Sequence, residues 1–297
     1  MNLVDLQVNG AAGHDLTSDP DRLWDVAAAL PRYGVVAFLP TVITSDPAVP
    51  DRALEVLAAG PPAGWSGATP LGLHLEGPML APGRKGAHPE EFLRPPSPAV
   101  VDGWSRDAGV AMVTLAPELP GALEVVETLA GRGVVVSVGH TDATAAEVAA
   151  AVEAGATCVT HLGNAMPAMR PREPGPVGAA LGHDSLVAGV IVDGHHLDPA
   201  FVRTAWRALG PRRFLSVSDT TAALGMPDGP ARLGHRDVVV ADGTVRLVDG
   251  TLAGSAASLS DCVSLLVEQT GCSTAEAVAT ASTTPLRLLG IDPATVL

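Results

Sequence analysis

Apolar residues along the chain fall into eight short runs, separated by stretches whose apolar positions recur at helical spacing. Several runs have no polar interruption, as in strands that are buried on both faces of a parallel sheet. The predicted strands are residues 3–8, 35–39, 71–75, 110–115, 134–138, 158–160, 186–192 and 214–217. The predicted helices are residues 20–33, 48–59, 98–108, 120–132, 143–154, 176–181 and 199–209.

This alternation predicts the fold class and the domain organisation. Eight strands that alternate with helices over 297 residues favour a closed α/β barrel, the (β/α)8 TIM type, over an open doubly wound sheet. Two closing helices are predicted at residues 258–271 and 274–289, and an Asp-Gly turn predicts a β-hairpin insertion at about 236–249. Because no repeat or low-complexity linker divides the chain, residues 1–297 are predicted to form a single domain.

Composition and charge narrow the classes of function. The chain is 47% hydrophobic, enough for a large core, and its net charge of −14 argues against a nucleic-acid-binding surface. No apolar run reaches membrane-spanning length, and the start MNLVDLQVNG lacks the features of a signal peptide. The three cysteines form no CxxC pair. We therefore expect a reduced, cytoplasmic protein with no membrane and no nucleic-acid partner.

Candidate catalytic residues follow four of the predicted strands. Glu76 follows the third strand, His140 the fifth, His161 the sixth and Asp219 the eighth. In a parallel barrel the carboxyl ends of the strands meet at one face, where active sites form. Two histidines, a glutamate and one open position are typical of a catalytic zinc site, and an aspartate beside them could accept a proton from the bound water. One strand-end histidine is more often a hydrogen-bonded structural group, but four such residues together favour metal-assisted hydrolysis.

Ten motifs then carry a resemblance to a known family. They are DLQVNG (5–10), HLEGP (74–78), KGAH (85–88), LAPE (115–118), GHTDAT (139–144), THLGNAM (160–166), REPG (172–175), VDGHH (192–196), SVSD (216–219) and GTLAGS (250–255). With these motifs in this order, the sequence resembles the N-acetylglucosamine-6-phosphate deacetylase family of the amidohydrolase superfamily.

The resemblance implies a role for each matched residue. Asp219 would act as general base and then as general acid, while His88 would polarise the acetyl carbonyl. Arg172 matches an arginine that reaches the phosphate in a neighbouring subunit, which implies a homodimer. The remaining matches are metal ligands Glu76, His140 and His161 for one divalent ion, preferably zinc, and substrate contacts Asn164, Ala165 and His196.

Three departures from the family pattern change the expectations. Gln7 and Asn9 replace the His-x-His of many amidohydrolases, and amides are weak zinc ligands, so we expect one metal rather than two. Gly163 replaces a usual aromatic residue, which we expect to open space near the sugar. The family's small β-sandwich domain is expected to be mostly lacking, because its flanking segments do not appear in the sequence.

Three functions therefore remain open. The first is removal of the N-acetyl group from N-acetylglucosamine 6-phosphate, a small phosphosugar, to give glucosamine 6-phosphate and acetate. The second is a related amidohydrolase that acts on another N-acyl compound, either an amino sugar or a specialised metabolite. The third is a non-catalytic barrel that binds a phosphosugar or a partner protein.

Overall fold

The fold is described from a computed structural model of residues 1–297. Its main sheet contains eight parallel strands that pair in order around the barrel, and a two-residue strand, Thr69–Pro70, pairs with the second of them. The sheet approaches closure where Val8, the last residue of the first strand, bridges Thr220, after the eighth. The strands are β1 (Leu3–Val8), β2 (Val35–Ile43), β3 (Leu73–Glu76), β4 (Val110–Leu115), β5 (Val135–Val138), β6 (Cys158–Val159), β7 (Val187–Ile191) and β8 (Phe214–Val217). This architecture confirms the predicted (β/α)8 barrel.

Helices connect most of the strands and cover the outside of the barrel. Several begin at a serine or threonine whose side chain accepts a hydrogen bond from the first turn, as Thr144 does from the backbone of Glu147. The helices are α1 (Leu23–Ala29), α2 (Ala48–Ala59), α3 (Ala122–Gly131), α4 (Ala145–Glu153), α5 (Gly175–Gly182), α6 (Pro199–Arg213), α7 (Leu259–Thr270), α8 (Thr274–Thr280) and α9 (Thr283–Leu288). None of them combines the length and the apolar character that crossing a membrane requires.

Two predicted helices differ from the structure. Residues 98–108 form turns rather than a helix. Val101 and Trp104 are buried three positions apart, which imitates helical spacing, but Gly103 between them has a φ of +75°, outside the helical range. The predicted helix at residues 274–289 is divided into α8 and α9 at Ser282, whose φ is −143°.

The inside of the barrel is layered. An apolar cluster from alternate strand positions, including Leu39, Leu215 and Val217, also contains Leu286 of α9. Above it, hydroxyl and imidazole groups join neighbouring strands: the His74 Nε2 atom lies 2.8 Å from the Thr114 hydroxyl. The Thr114 hydroxyl in turn lies 2.8 Å from that of Thr160, and the Thr160 hydroxyl lies 2.6 Å from that of Ser137. Glu76, His140 and His161 follow this polar layer further along the chain.

A four-stranded antiparallel sheet lies between Asp219 and α7 in the sequence. Its strands are β9 (Gly229–Leu233), β10 (Arg236–Ala241), β11 (Thr244–Leu247) and β12 (Leu252–Ser255). The hairpin predicted at residues 236–249 corresponds to β10 and β11, so the antiparallel region is larger than the sequence pattern indicated. Leu233, Val238 and Val245 of this sheet pack in one apolar cluster with Ile43 and Ala87 of the barrel.

Candidate active site

Sharp turns at the strand ends place the candidate catalytic side chains. His140, His161 and Asp219 each lie two residues beyond the end of their strand, while Glu76 is the last residue of β3. The backbone φ angles of those three residues are +49°, +29° and +51°. Left-handed conformations are unfavourable for residues other than glycine, and in native proteins they concentrate at functional sites. The same left-handed backbone conformation therefore occurs after three strands of the barrel.

Three side-chain atoms converge as metal ligands do. The Nε2 atoms of His140 and His161 lie 3.0 Å apart, and they lie 3.2 and 3.1 Å from Oε1 of Glu76. Ligand atoms held tetrahedrally at ordinary zinc distances are about 3.4 Å apart. All three residues are buried. The donor set and its spacing therefore fit one divalent cation, with Glu76, His140 and His161 as its ligands.

Hydrogen bonds around this cluster favour metal binding. The Nδ1–H group of His140 donates to the backbone carbonyl of Arg84 at 2.8 Å, which leaves Nε2 with a free lone pair, as a ligand needs. Burial opposes ionisation of Glu76, but its contacts with His140 and His161 hold the pKa of Glu76 well below its usual range. The site therefore presents a carboxylate, the form that binds a cation.

Asp219 lies in the same cleft and is 7% exposed. Asn9 donates a hydrogen bond from Nδ2 to Oδ1 of Asp219 at 2.8 Å. Burial, and then the negative charge of Glu76, raise the pKa of Asp219 to about 8. A cation beside both carboxylates would lower this pKa, because an opposite charge favours the ionised form.

His88 contributes a hydrogen-bond donor on the other side of Glu76. The backbone N–H of Thr44 donates to Nδ1 of His88, so the remaining proton of the neutral ring lies on Nε2. That atom is 3.8 Å from Oε2 of Glu76. Burial, and then the proximity of His140, lower the pKa of His88 to about 3, so the ring is neutral at pH 7. A neutral Nε2–H group can donate to a carbonyl oxygen without losing its proton.

These residues share one cleft with most of the predicted substrate contacts. The cleft has a volume of about 310 Å³, and Asn164, Ala165 and His196 line it. Arg172 is exposed and does not line the cleft of its own chain. The structure thus brings together every predicted site residue except Arg172.

His196 is held by a charged neighbour. Its Nδ1–H group donates to Oδ2 of Asp193 at 2.7 Å, and both side chains are almost fully buried. Burial opposes ionisation, but the hydrogen bond from His196 and two backbone N–H groups lower the pKa of Asp193 to about 2. The ionised Asp193 therefore fixes the orientation of the imidazole at the cleft.

Several cleft residues had no role in the sequence analysis. Arg84 lines the cleft, and its Nε atom donates to Asp142 at 2.6 Å. Leu233 and residues 251–254 extend the cleft wall from the antiparallel sheet. The motif GTLAGS pointed to part of this wall, but spacing alone could not show that strands far along the chain return to the barrel mouth.

The expectation that Gly163 opens space near the sugar was wrong. A Cβ atom at this position would lie 3.0 Å from Cζ of Phe201 and 3.4 Å from Cδ2 of Leu197. The space beside Gly163 is therefore filled by side chains from α6 and its approach. The φ of Gly163, +87°, also favours glycine at this position.

Known proteins resemble this chain over nearly its whole length. The sequence profile of the amidohydrolase family matches residues 28–295. The N-acetylglucosamine-6-phosphate deacetylase of Bacillus subtilis is 35% identical over 295 residues, which cover 97% of this chain and 74% of the relative.

The chain belongs to the N-acetylglucosamine-6-phosphate deacetylase family of amidohydrolases.

Two further matches extend the comparison within this deacetylase family. The N-acetylgalactosamine-6-phosphate deacetylase of Escherichia coli O157:H7 is 38% identical over 97% of this chain and 77% of its own length. A mutant N-acetyl-D-glucosamine-6-phosphate deacetylase from Mycobacterium smegmatis was solved in complex with N-acetyl-D-glucosamine-6-phosphate. It superimposes with a TM-score of 0.90 at 37% identity, over 98% of this chain and 77% of that one. Deacetylases of two epimeric phosphosugars are therefore about equally similar to this chain.

Proposed function

We propose that this chain is a metal-dependent hydrolase that removes the acetyl group from N-acetylglucosamine 6-phosphate, giving glucosamine 6-phosphate and acetate. The observation that carries the proposal is the convergence of Glu76, His140 and His161 within 3.2 Å of one another, beside Asp219 and His88. The family to which the chain belongs supplies the reaction class. Asn164, Ala165 and His196 in the same cleft support a phosphosugar substrate.

The metal is proposed to be one Zn²⁺ ion. Two imidazoles and a carboxylate suit zinc, and three protein ligands leave a position for water or substrate. Bound there, the cation supplies Lewis acidity, which polarises a carbonyl and lowers the pKa of a coordinated water to about 7.

The residues of this chain then divide the work of amide hydrolysis. Asp219, as a carboxylate, accepts a proton from the attacking water as its oxygen bonds to the acyl carbon. The neutral His88 donates from Nε2 to the acyl oxygen, where negative charge develops. Asp219 then delivers its proton to the sugar nitrogen as the C–N bond breaks. The products are acetate and an amine that takes up the remaining water proton as ammonium, so one water is consumed and Asp219 returns to its starting state.

The homodimer is part of the same proposal. Arg172 is exposed and does not line its own cleft, which agrees with a role in a neighbouring subunit. Its guanidinium could hold a phosphate through two parallel hydrogen bonds. Location in the cytoplasm stays a prediction from the sequence.

A second candidate substrate is N-acetylgalactosamine 6-phosphate, because a relative named as the deacetylase of that sugar is 38% identical to this chain.

The test is acetate release by the zinc-loaded protein from both phosphosugars and from N-acetylglucosamine. We expect the glucosamine derivative to be the best substrate and the unphosphorylated sugar to be poorer by about 100-fold or more. Preference for the galactosamine derivative would favour the second candidate. Release only from the unphosphorylated amide would favour another N-acyl substrate, and binding without turnover of any sugar would favour a non-catalytic barrel.

A further inference from the structure

Two neutral amides lie directly behind the catalytic carboxylates. Gln7 donates a hydrogen bond from Nε2 to Oε1 of Glu76 at 3.2 Å, and Asn9 donates from Nδ2 to Oδ1 of Asp219 at 2.8 Å. Gln7 is 3% exposed and Asn9 is 2% exposed. We call these two residues the amide pair. Each carboxylate of the site thus receives one N–H group from the pair.

A local irregularity of β1 aims the amide pair into the barrel. Leu6 belongs to the apolar cluster inside the barrel, yet the next residue, Gln7, also points inward to Glu76. A regular strand sends adjacent side chains to opposite faces. The pairing of β1 with β2 shifts register between Asp5 and Val8, which allows both side chains to point inward.

The two amides differ in whether a buried oxygen is left without a hydrogen-bond partner. Asn9 lines the cleft, and its Oδ1 atom is buried and has no hydrogen-bond partner within the protein. Buried acceptors without a donor are rare in native proteins. Because Asn9 lines the cleft, a donor that enters the cleft beside Asp219 can reach this oxygen. In hydrolysis the attacking water fits this description, since it carries two O–H groups and only one of its protons passes to Asp219.

We propose that Asn9 positions Asp219 and accepts the second O–H group of the attacking water, while Gln7 fixes the metal-binding oxygen of Glu76. The inference rests on the proposed hydrolase function. With one O–H directed at Asp219 and the other at Asn9, a lone pair of the water is left to face the acyl carbon. The amide pair thus orients the two carboxylates and the nucleophile where many amidohydrolases hold a second metal.

Different measurements test the proposed roles of Asn9 and Gln7. Asn9→Leu replaces the amide by an apolar side chain of similar size, so both the N–H group and the oxygen are lost. We expect kcat to fall about 100-fold while KM changes less than about 3-fold. The dissociation constant of Zn²⁺, measured with a competing chelator, should stay within about 3-fold, because the three ligands are untouched. Gln7→Met should instead weaken zinc binding about 10-fold, and at saturating zinc its kcat should fall less than that of Asn9→Leu.

A matched control is available elsewhere in the chain. Gln269 on α7 also has a buried amide oxygen without a partner, but it does not line the cleft. Gln269→Met should leave kcat, KM and zinc affinity unchanged. If Asn9→Leu does not fold, Asn9→Ser can replace it, because serine retains a donor and an acceptor but is too short to reach Asp219.

A crystal structure of the zinc-loaded protein tests the inference independently of turnover. We expect an ordered water within about 3.2 Å of both Asn9 Oδ1 and a carboxylate oxygen of Asp219. Absence of any donor near Asn9 Oδ1 in that structure would overturn the inference. Wild-type kcat in Asn9→Leu, or a loss of zinc affinity as large as the loss of kcat, would overturn it as well. If the wild-type protein hydrolyses none of the sugars, the proposed function fails, and the water in the crystal structure still decides the role of Asn9.

Discussion

The two ends of the cleft are built in different ways. At the metal end, Glu76, His140 and His161 are at most 6% exposed and come from strand ends of one barrel. At the proposed phosphate end, the predicted contacts lie in loops, and Arg172, which does not line the cleft of its own chain, is exposed. Side chains at strand ends are positioned more precisely than side chains on loops, whereas loops can change without disturbing the core. We therefore propose that the barrel determines the reaction and that the loops, with Arg172 from a second chain, select the substrate.

The largest effect is expected from a substitution that disrupts metal binding and leaves the loops unchanged. Glu76→Gln keeps the size of the side chain but removes its charge, so we expect zinc affinity to fall at least about 100-fold. Acetate release at one equivalent of zinc should then fall about 10⁴-fold, because both water activation and carbonyl polarisation are lost. Zinc content and turnover are measured together, with Glu127→Gln on the exposed face of α3 as the control. Retained turnover in Glu76→Gln would contradict the assignment of the metal end.

The second change separates proton transfer from metal binding. Asp219→Asn should lower kcat about 10³-fold, since an amide can neither accept nor return the proton. Zinc should still bind with one equivalent per chain, because the three ligands remain. Isothermal titration with zinc and steady-state kinetics on the same preparation check both statements. A variant that lost zinc and activity together would make Asp219 a metal ligand rather than the base.

The phosphate end should respond only to phosphorylated substrates. Arg172→Ala should lower kcat/KM for N-acetylglucosamine 6-phosphate about 10- to 100-fold, through the loss of charge-assisted hydrogen bonds. Turnover of unphosphorylated N-acetylglucosamine should be unchanged. Equal losses on both sugars would show that Arg172 acts on something other than the phosphate.

Mixing two impaired variants tests whether Arg172 acts across subunits. When Arg172→Ala and Asp219→Asn chains are unfolded together and refolded, a mixed dimer has one cleft with both residues intact. Random pairing should recover about a quarter of the wild-type activity. Activity no greater than the mean of the two separate variants would place Arg172 in its own chain's cleft.

The smallest expected effect is a pH dependence of zinc affinity. The folded-state pKa of Asp219, about 8, lies above its ordinary value, so without metal this group holds a proton at neutral pH. Zinc binding must release that proton, and the apparent affinity should rise by up to about tenfold per pH unit and level off above pH 8. The slope should be shallower in Asp219→Asn, which has no carboxyl group at this position to release a proton. An equal slope in both proteins would mean that Asp219 does not titrate with the metal.

The sequence predicted the metal end better than the rest of the molecule, for a physical reason. Strands buried on both faces leave apolar runs, and a charged residue at the end of such a run is conspicuous, as at Glu76 and Asp219. The helix predicted at residues 98–108 was wrong because buried side chains three positions apart also occur in turns. The role of Gln7 also depends on structure, since a register shift in β1 is needed to aim it at Glu76.

The phosphate end of the cleft was harder to predict, because segments that are distant in the sequence build it. The antiparallel sheet returns to the barrel mouth and adds Leu233 and residues 251–254 to the cleft. Gly163 was misinterpreted because the neighbour that fills its space, Phe201, lies 38 positions further along the chain. Contacts of this kind depend on tertiary packing, which local spacing does not encode.

The most direct test of the account is a zinc titration of metal-free protein, followed by acetate release from N-acetylglucosamine 6-phosphate. The account predicts no release without metal, a linear rise with added zinc, and a plateau at one equivalent per chain. Release that persists after complete removal of metal, or a plateau only at two equivalents, would contradict a single-cation hydrolase built on Glu76, His140 and His161.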